Sequence, residues 1–297
     1  MGNHRYVLVT PARNEEAFIE KTLQAVAAQT ILPQKWVIVS DCSTDRTDEI
    51  VGEFAKQHEF IELVRAAGRN QRTFSSKVHA FNLGYEHLKG KEYAFLGILD
   101  ADVSFQRDYY ERVLAKFEQN QRLGIAGGIR YDWRNGKFQK VSSARNSVGG
   151  PVQLFRRQCF DDIGGFIPIA GGGIDAVAEI MARMHGWEVE AFPELEVYHY
   201  RRTGSATRNA LGVHFHEGVK CRSLGYHPLF HVVKSVYRMK EKPTVIAGLL
   251  MLFGYVFASL KGHERPVPEN FVTYLRSEQL ARLKVLFTRG KDPALWC

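Results

Sequence analysis

Short apolar, β-branched runs recur along the first hundred positions, and each ends in a polar cluster. Residues 5–10 (RYVLVT) and 35–40 (KWVIVS) read as buried parallel strands. Between them, Glu15 to Gln29 repeats at helical spacing. Phe18, Thr22, Ala25, Val26 and Gln29 share one face, and acidic residues occupy the first turn. A second helix is predicted over 46–57, behind the capping cluster Ser43-Thr44-Asp45. Residues 60–65 give a third strand, 75–88 a third helix, and 93–99 a fourth strand that ends at Asp100. This alternation predicts an α/β fold: a Rossmann-like, mostly parallel sheet flanked by helices. On such sheets ligands lie beyond the carboxyl ends of the strands, which is where the polar clusters fall.

The pattern then loosens. Residues 107–121 look helical, 124–160 are Gly-rich and mix strands with loops, 176–186 make a short helix, and 187–200 alternate as strands do. Beyond about residue 205 the character changes, so the chain divides into a domain over 1–205 and a basic, helical C-terminal region over 206–297. Residues 208–240 read as helix with many basic and aromatic positions. Thr244 to Leu260 then runs 17 residues without a charge, between Lys240 and Lys242 on one side and Lys261 and Arg265 on the other. A membrane-spanning helix needs roughly 17–25 apolar residues. Three placements therefore stand open for 244–260: a thin span, an interfacial or re-entrant hairpin, or a buried helix. Basic residues at both ends leave its orientation undetermined.

Composition narrows the classes. An apolar fraction of 45% and a charged fraction of 24% are those of a globular protein, not of a collagen, a disulfide scaffold or a disordered chain. Cys42, Cys159, Cys221 and Cys297 form no C-x-x-C pair, which argues against structural zinc and for reduced thiols. The opening MGNHRYVLVT lacks a signal-peptide pattern, and Tyr6 breaks the myristoylation pattern. The expected setting is the cytoplasmic face, peripheral or integral at the inner or plasma membrane. The net charge of +8 is unevenly spread. Residues 201–297 hold 16 Lys/Arg and 6 Asp/Glu, a net +10, leaving 24 and 26, a net −2, for the rest. That distribution excludes a uniformly basic nucleic-acid binder. It suits a near-neutral body with a tail able to meet anionic lipid or a phosphorylated acceptor.

Five clusters carry candidate chemistry. Thr10-Pro11-Ala12-Arg13-Asn14-Glu15-Glu16 closes the first strand. Pro11 fixes the turn and Glu15 offers a carboxylate to sugar hydroxyls or ring N–H groups, although the same residues also suit a helix N-terminus. In Ser40 to Asp45, Asp41 is positioned to accept from a base N–H, while Asp45 reads as a cap. Asp100-Ala101-Asp102 sets two mutually repelling carboxylates one residue apart. A divalent cation with diphosphate oxygens relieves that repulsion, and a capping turn is the plainer alternative. Gly171-Gly172-Gly173-Ile174-Asp175 lets backbone approach a substrate, with Asp175 ready to take a proton from an attacking hydroxyl, or simply to cap a helix. His199 ends an apolar strand as a further metal donor or a structural histidine, and Arg201 or Arg202 is suited to phosphate. His214-Phe215-His216 lacks a partner at metal spacing beyond Glu217 and is read as helix.

Taken in order, these segments resemble glycosyltransferase family 2, inverting enzymes of GT-A fold. VTPARNEEAFIEKTLQAVAAQ is similar to the family's P-x-x-N-E opening, VIVSDCSTDRT to its second motif, and Lys77 to Gly84 (KVHAFNLG) to its K-x-x-A-x-N-x-G stretch. LDAD is similar to the metal motif. Leu154-Phe155-Arg156-Arg157 with Gly164-Gly165-Phe166 resembles the L-F-R-R…G-G-F segment near the acceptor, and Asp175 with Arg183 resembles the base motif. The likeness covers about residues 5–205. It implies that Pro11, Arg13, Glu15 and Asp41 bind the nucleoside, and that Lys77 approaches ribose or phosphates. Asp100, Ala101 and Asp102 would contact the donor, Asp100, Asp102 and His199 would hold Mn2+ or Mg2+, and Asp175 would be the general base. Arg156, Arg201 and Arg202 would serve the phosphate or acceptor side. The implied reaction moves one hexose from a UDP- or GDP-sugar to a glycan or lipid-linked glycan, as in surface polysaccharide or glycolipid assembly. Ser40 and Ile174 stand where the family carries acidic residues, and the Q-x-x-R-W motif of processive synthases is absent. A nucleotidyltransferase would need a G-x-G-T-R loop after the first strand, which Thr10 to Asn14 is not. A degenerate, non-catalytic subunit draws only on Ser40 and Ile174.

Overall fold

A computed structural model describes residues 4–67, 74–141, 144–169, 171–201, 210–240, 244–262 and 265–289. The chain forms two compact units, residues 1–168 with 174–202 and residues 169–173 with 203–297. The short segment 169–173, which the sequence reading kept in the first domain, groups with the second unit.

In the first unit, β1 (Tyr6–Ala12), α1 (Ile19–Ala27), β2 (Lys35–Ser40), α2 (Thr47–Gln57), β3 (Ile61–Arg65), α3 (Phe74–Glu86) and β4 (Phe95–Leu99) alternate as the pattern predicts. There follow β5 (Val103–Phe105), α4 (Tyr109–Gln119), β6 (Leu123–Arg134), β7 (Lys137–Lys140), β8 (Val152–Arg156), α5 (Arg157–Asp162), α6 (Ile174–Met184) and β9 (Glu188–His199). The strands form one sheet in the order β3-β2-β1-β4-β8-β6-β9-β5, with β7 on β6. β3, β2, β1 and β4 are mutually parallel. The other half is mixed, which corrects the expectation of a mostly parallel sheet: β8 runs antiparallel to both neighbours, β7 to β6, and β5 to β9. For β7 the reason is local. Asn135 and Gly136, both at positive φ, close a two-residue hairpin between β6 and β7, where a crossover helix would be needed for parallel pairing.

The main core lies between this sheet and its helices, built on Tyr6, Leu8, Trp36, Ile38, Leu99, Tyr110 and Phe117. Helix α1 starts at Ile19, four residues later than the pattern suggests, and buries Ile19, Thr22, Leu23 and Val26, while Phe18 and Ala25 are only half-buried. A register shift between Gly128 and Ile129 interrupts the β6–β9 ladder. There the Gly128 Cα lies so close to the Leu195 carbonyl that a β-carbon would come within 2.2 Å of its oxygen. Beyond this bulge, Asp132 stands opposite His199.

The second unit holds α7 (Ala210–Ser223), α8 (Pro228–Arg238), α9 (Ile246–Leu260) and α10 (Glu269–Arg289). The helical stretch read over 208–240 is two helices. Gly225 at φ +79° ends the first, and Pro228 starts the second. Helix α10, unassigned from sequence, buries Phe271, Val272, Leu275 and Leu283. The uncharged segment 244–260 yields a 15-residue helix, and no helix among the described residues is long and apolar enough to cross a membrane. One face of α9 is built of small residues. A β-carbon at Gly254 would lie 2.1 Å from the Phe215 carbonyl oxygen, and one at Gly218 of α7 would lie 2.0 Å from that of Met251. The two helices therefore meet backbone to backbone.

Candidate active site

The site gathers where β1, β2 and β4 end. Asn14, at φ 54°, donates its N–H to Ser43 Oγ (3.2 Å), and its side-chain oxygen accepts from the Thr44 N–H (2.8 Å). Asp45 accepts from the N–H groups of Glu16 and Thr47, each at 3.0 Å, so it is a capping residue that ties the two loops together. On this frame Arg13 reaches Asp41 at 3.5 Å, both half-buried.

Strand pairing explains the second group. The chain leaves β4 through Asp100-Ala101-Asp102 and turns into β5, where Thr22 Oγ1 bonds both the N–H and the carbonyl of Val103. Val103 pairs with His199 on β9, and His199 pairs with Asp132 on β6. His199 is thereby set between two carboxylates. Its Nε2 lies 3.3 Å from Asp102 Oδ1 and its Nδ1 lies 3.1 Å from Asp132 Oδ1. All three side chains are buried. Burial disfavours an imidazolium here, but the two hydrogen-bonded carboxylates prevail and raise His199 to about 9. Asp132 is buried too, yet His199, Arg130 and Arg134 hold it below the usual carboxylate range. Asp100, Asp102 and His199 offer ligand atoms that all lie within 4.8 Å of one another, close enough for one divalent ion to bridge.

Lys77, on α3, bonds Asp100 Oδ1 at 2.5 Å. Burial works against its charge, but Asp100, Asp175 and Asp102 together raise its pKa, so all three carboxylates act on one ammonium group. Asp175 sits in the first turn of α6 with its carboxylate against Gly150, where a β-carbon would lie 2.7 Å from Oδ2. Arg201 holds both oxygens of the buried Glu15 (3.1 and 2.7 Å) and stands 3.9 Å from Asp102 Oδ2. Glu15 is thus an anchor for Arg201 in this arrangement, and a nucleoside would have to share it. Pro11 and Ala101 complete the strand ends.

Arg156 does not join this group, which corrects the expectation of an acceptor-side role. Because β8 is antiparallel to β4, Arg156 pairs with Phe95 at the far end of β4, whereas Val152 pairs with Leu99 beside the acids. Its guanidinium donates to the carbonyls of Phe117, Asn120 and Leu123 and packs over Phe95 and Phe117. That is a structural helix-end role. Arg202 lies outside the described residues.

Two site residues were missed from sequence. Asp132 orients His199. Glu179, one turn beyond Asp175, is buried and accepts from the Val148 N–H (2.7 Å) and from Gln153 Nε2 (3.0 Å), pinning the strand approach to Gly150. Burial, reinforced by the Asp175 charge, pushes the Glu179 carboxyl up to about 8. Between roughly pH 4.5 and 8 the folded chain keeps a proton that the unfolded chain has released. Stability should therefore fall as pH rises across that window, by an amount on the order of 4 kcal/mol. Glu179→Gln, which keeps the acceptor oxygen, should flatten this dependence in urea unfolding at either end of the window. An unchanged slope would refute the neutral carboxyl.

Sheet order, the acidic turn after β4 and the imidazole from the last strand together describe a GT-A glycosyltransferase fold. Solved structures share it. A mannosyltransferase from Pyrobaculum calidifontis, in complex with GDP-Man and Mn2+, matches 98% of this chain and 77% of its own, with TM-score 0.56 and 17% identity. S. aureus TarS 1-349 in complex with UDP-GlcNAc matches 95% and 86%, with TM-score 0.53 and 14% identity. The chain belongs to glycosyl transferase family 2, whose sequence model matches residues 7–172. Among curated relatives, poly-beta-1,6-N-acetyl-D-glucosamine synthase of Staphylococcus epidermidis is 26% identical over 170 residues, 51% of this chain and 39% of the relative. Glycosyltransferase AglE of Haloferax volcanii is 27% identical over 184 residues, 56% of this chain and 58% of the relative. The chain thus spans less than two thirds of either relative.

Proposed function

We propose that the chain is an inverting hexosyltransferase. It moves one sugar from a UDP- or GDP-sugar to a hydroxyl of a glycan or lipid-linked glycan, in polysaccharide or glycolipid assembly at the cytoplasmic face of a membrane. The observation that carries this reading is the convergence of Asp100, Asp102 and His199 on the strand edge where Lys77 also feels Asp175. The donor set suits Mn2+ or Mg2+: two carboxylates and one imidazole, with the second imidazole nitrogen fixed by Asp132. Such an ion, held by Asp100, Asp102 and His199, would neutralise charge on the departing nucleoside diphosphate.

The protein's own residues do the rest. Pro11, Arg13, Asp41 and Ala101 border the nucleoside, and Lys77 offers a cation to ribose or phosphate oxygens. Glu15 fixes Arg201 beside Asp102, ready to meet a phosphate. Asp175 takes the proton of the acceptor hydroxyl as its oxygen attacks the anomeric carbon from the face opposite the leaving group, which inverts that centre. Residues 1–205 would carry this chemistry, and 206–297 would set it against the membrane that presents the acceptor. The names of the relatives, a poly-N-acetylglucosamine synthase and a beta-monoglucosyldiacylglycerol synthase among them, support a glycan or lipid acceptor.

The test is a panel of nucleotide sugars incubated with Mn2+, Mg2+ or EDTA, scored by release of nucleoside diphosphate. Turnover of one donor that falls at least about 100-fold in EDTA is expected. Equal turnover in EDTA would overturn the cation role, and no turnover of any donor under any condition would overturn the transferase reading.

A further inference from the structure

We infer that the exposed apolar face shared by α8 and α9 docks flat on an anionic lipid bilayer, entering the interface without crossing it. On α9, Ile246, Leu249, Phe253, Val256 and Leu260 follow one another at helical spacing, and all are at least half exposed, Phe253 at 61% and Leu260 at 85%. On α8, Leu229, Val232 and Val236 form a second exposed row at the same spacing. Scattered apolar side chains on a surface need no explanation, but two contiguous rows do.

The packing leaves α9 no freedom to hide this face. Gly218 and Gly254 hold its small-residue side against α7. On α8, the Ser235 carbonyl abuts Gly248, His231 Nε2 lies 3.2 Å from the Met251 carbonyl, and the His231 ring stacks on Tyr255 at 4.3 Å. Turning the apolar row inward would break all of these. Helix α9 is too short to cross a bilayer by itself. Fifteen residues rise about 22 Å, against a hydrocarbon core of about 30 Å.

Charge selects the occupant. Residues 228–262 hold one acid, Glu241, against Arg238, Lys240, Lys242 and Lys261, while a fifth cation, Lys234, is buried and paired with Glu217 of α7. Lys240 ends the α8 side and Lys261 the α9 side, their ammonium groups beside Tyr237 and Phe257. A two-fold contact between copies of the chain would bring these like charges together. An anionic leaflet instead meets the cations with headgroups and the rows with acyl chains. This deepens the membrane-side part of the proposed function and is independent of the chemistry at Asp175.

The test is co-sedimentation of the full chain with phosphatidylcholine vesicles, with and without phosphatidylglycerol. Binding is expected to the mixed vesicles and to weaken at high salt. The doubly substituted Leu249→Glu, Phe253→Glu chain should bind about tenfold or more weakly with an unchanged melting temperature. Lys240→Glu with Lys261→Glu should abolish the preference for anionic lipid. Asp175→Asn should bind vesicles like the parent, while the Leu249→Glu, Phe253→Glu chain should still turn over donor with a water-soluble acceptor. Failure of docking is thereby separated from failure of the transferase reading. Absence of vesicle binding, or binding that the glutamates leave intact, would overturn the proposal. So would a solution dimer that these glutamates convert to monomer without any vesicle binding, which would assign the face to a second copy.

Discussion

If Asp175 is the base proposed above, Asp175→Asn should lower sugar transfer about 1,000-fold while largely preserving nucleotide binding, because it removes the base without removing a shape. The side chain rests against Gly150 in the first turn of α6, and an amide fills the same space. What the amide lacks is basicity. The Asp175 charge also helps raise the pKa of Lys77, which is bonded to Asp100, so a small change on the donor side is expected, far below the loss in turnover. The measurement is kcat for transfer beside calorimetric Kd for the nucleoside diphosphate. Transfer at the parent rate would remove Asp175 from the chemistry.

Asp102→Ala should act differently, costing at least 100- to 1,000-fold in transfer together with the response to added Mn2+. Among the described residues, Asp102 alone lies within reach of both His199 (3.3 Å) and Arg201 (3.9 Å), so its removal takes away a donor atom and the carboxylate that the imidazole and the guanidinium share. Raising the Mn2+ concentration should restore little. A variant that kept the parent's Mn2+ activation curve would show that the acidic turn after β4 has another purpose.

The first half of the fold was legible because parallel strands covered on both faces must be apolar throughout, and β1, β2 and β4 read that way. Their carboxyl ends announced Arg13, Asp41, Asp100 and Asp102 in order. The mixed half was harder. Asp132 stands in RYDWRNG, an alternating polar stretch with the look of a solvent-facing hairpin. Its burial depends on His199, 67 residues further on. The Asn135-Gly136 pair was the signal available for that hairpin, and it went unread. Glu179 was visible in the sequence, but nothing local reveals that its carboxyl lies against Val148 and Gln153. Arg156 misled because strand direction, on which its position depends, is not written in a four-residue motif. In the second unit, the long apolar run of α9 gave helix readily but not which side faces α7. That follows from Gly218 and Gly254 acting together, while Gly248 meets α8.

Beyond the bulge at Gly128, the pairing of Asp132 with His199 is a matter of parity. Side chains alternate faces along a strand, so inserting or deleting one residue between Ile129 and Asp132 would swing the carboxylate to the opposite surface and strip His199 of its steadying partner. Length variation is tolerable at the Asn135-Gly136 tip, outside that interval. Anyone grafting loops or trimming this region should treat those few positions as fixed in number, even where their identities can change.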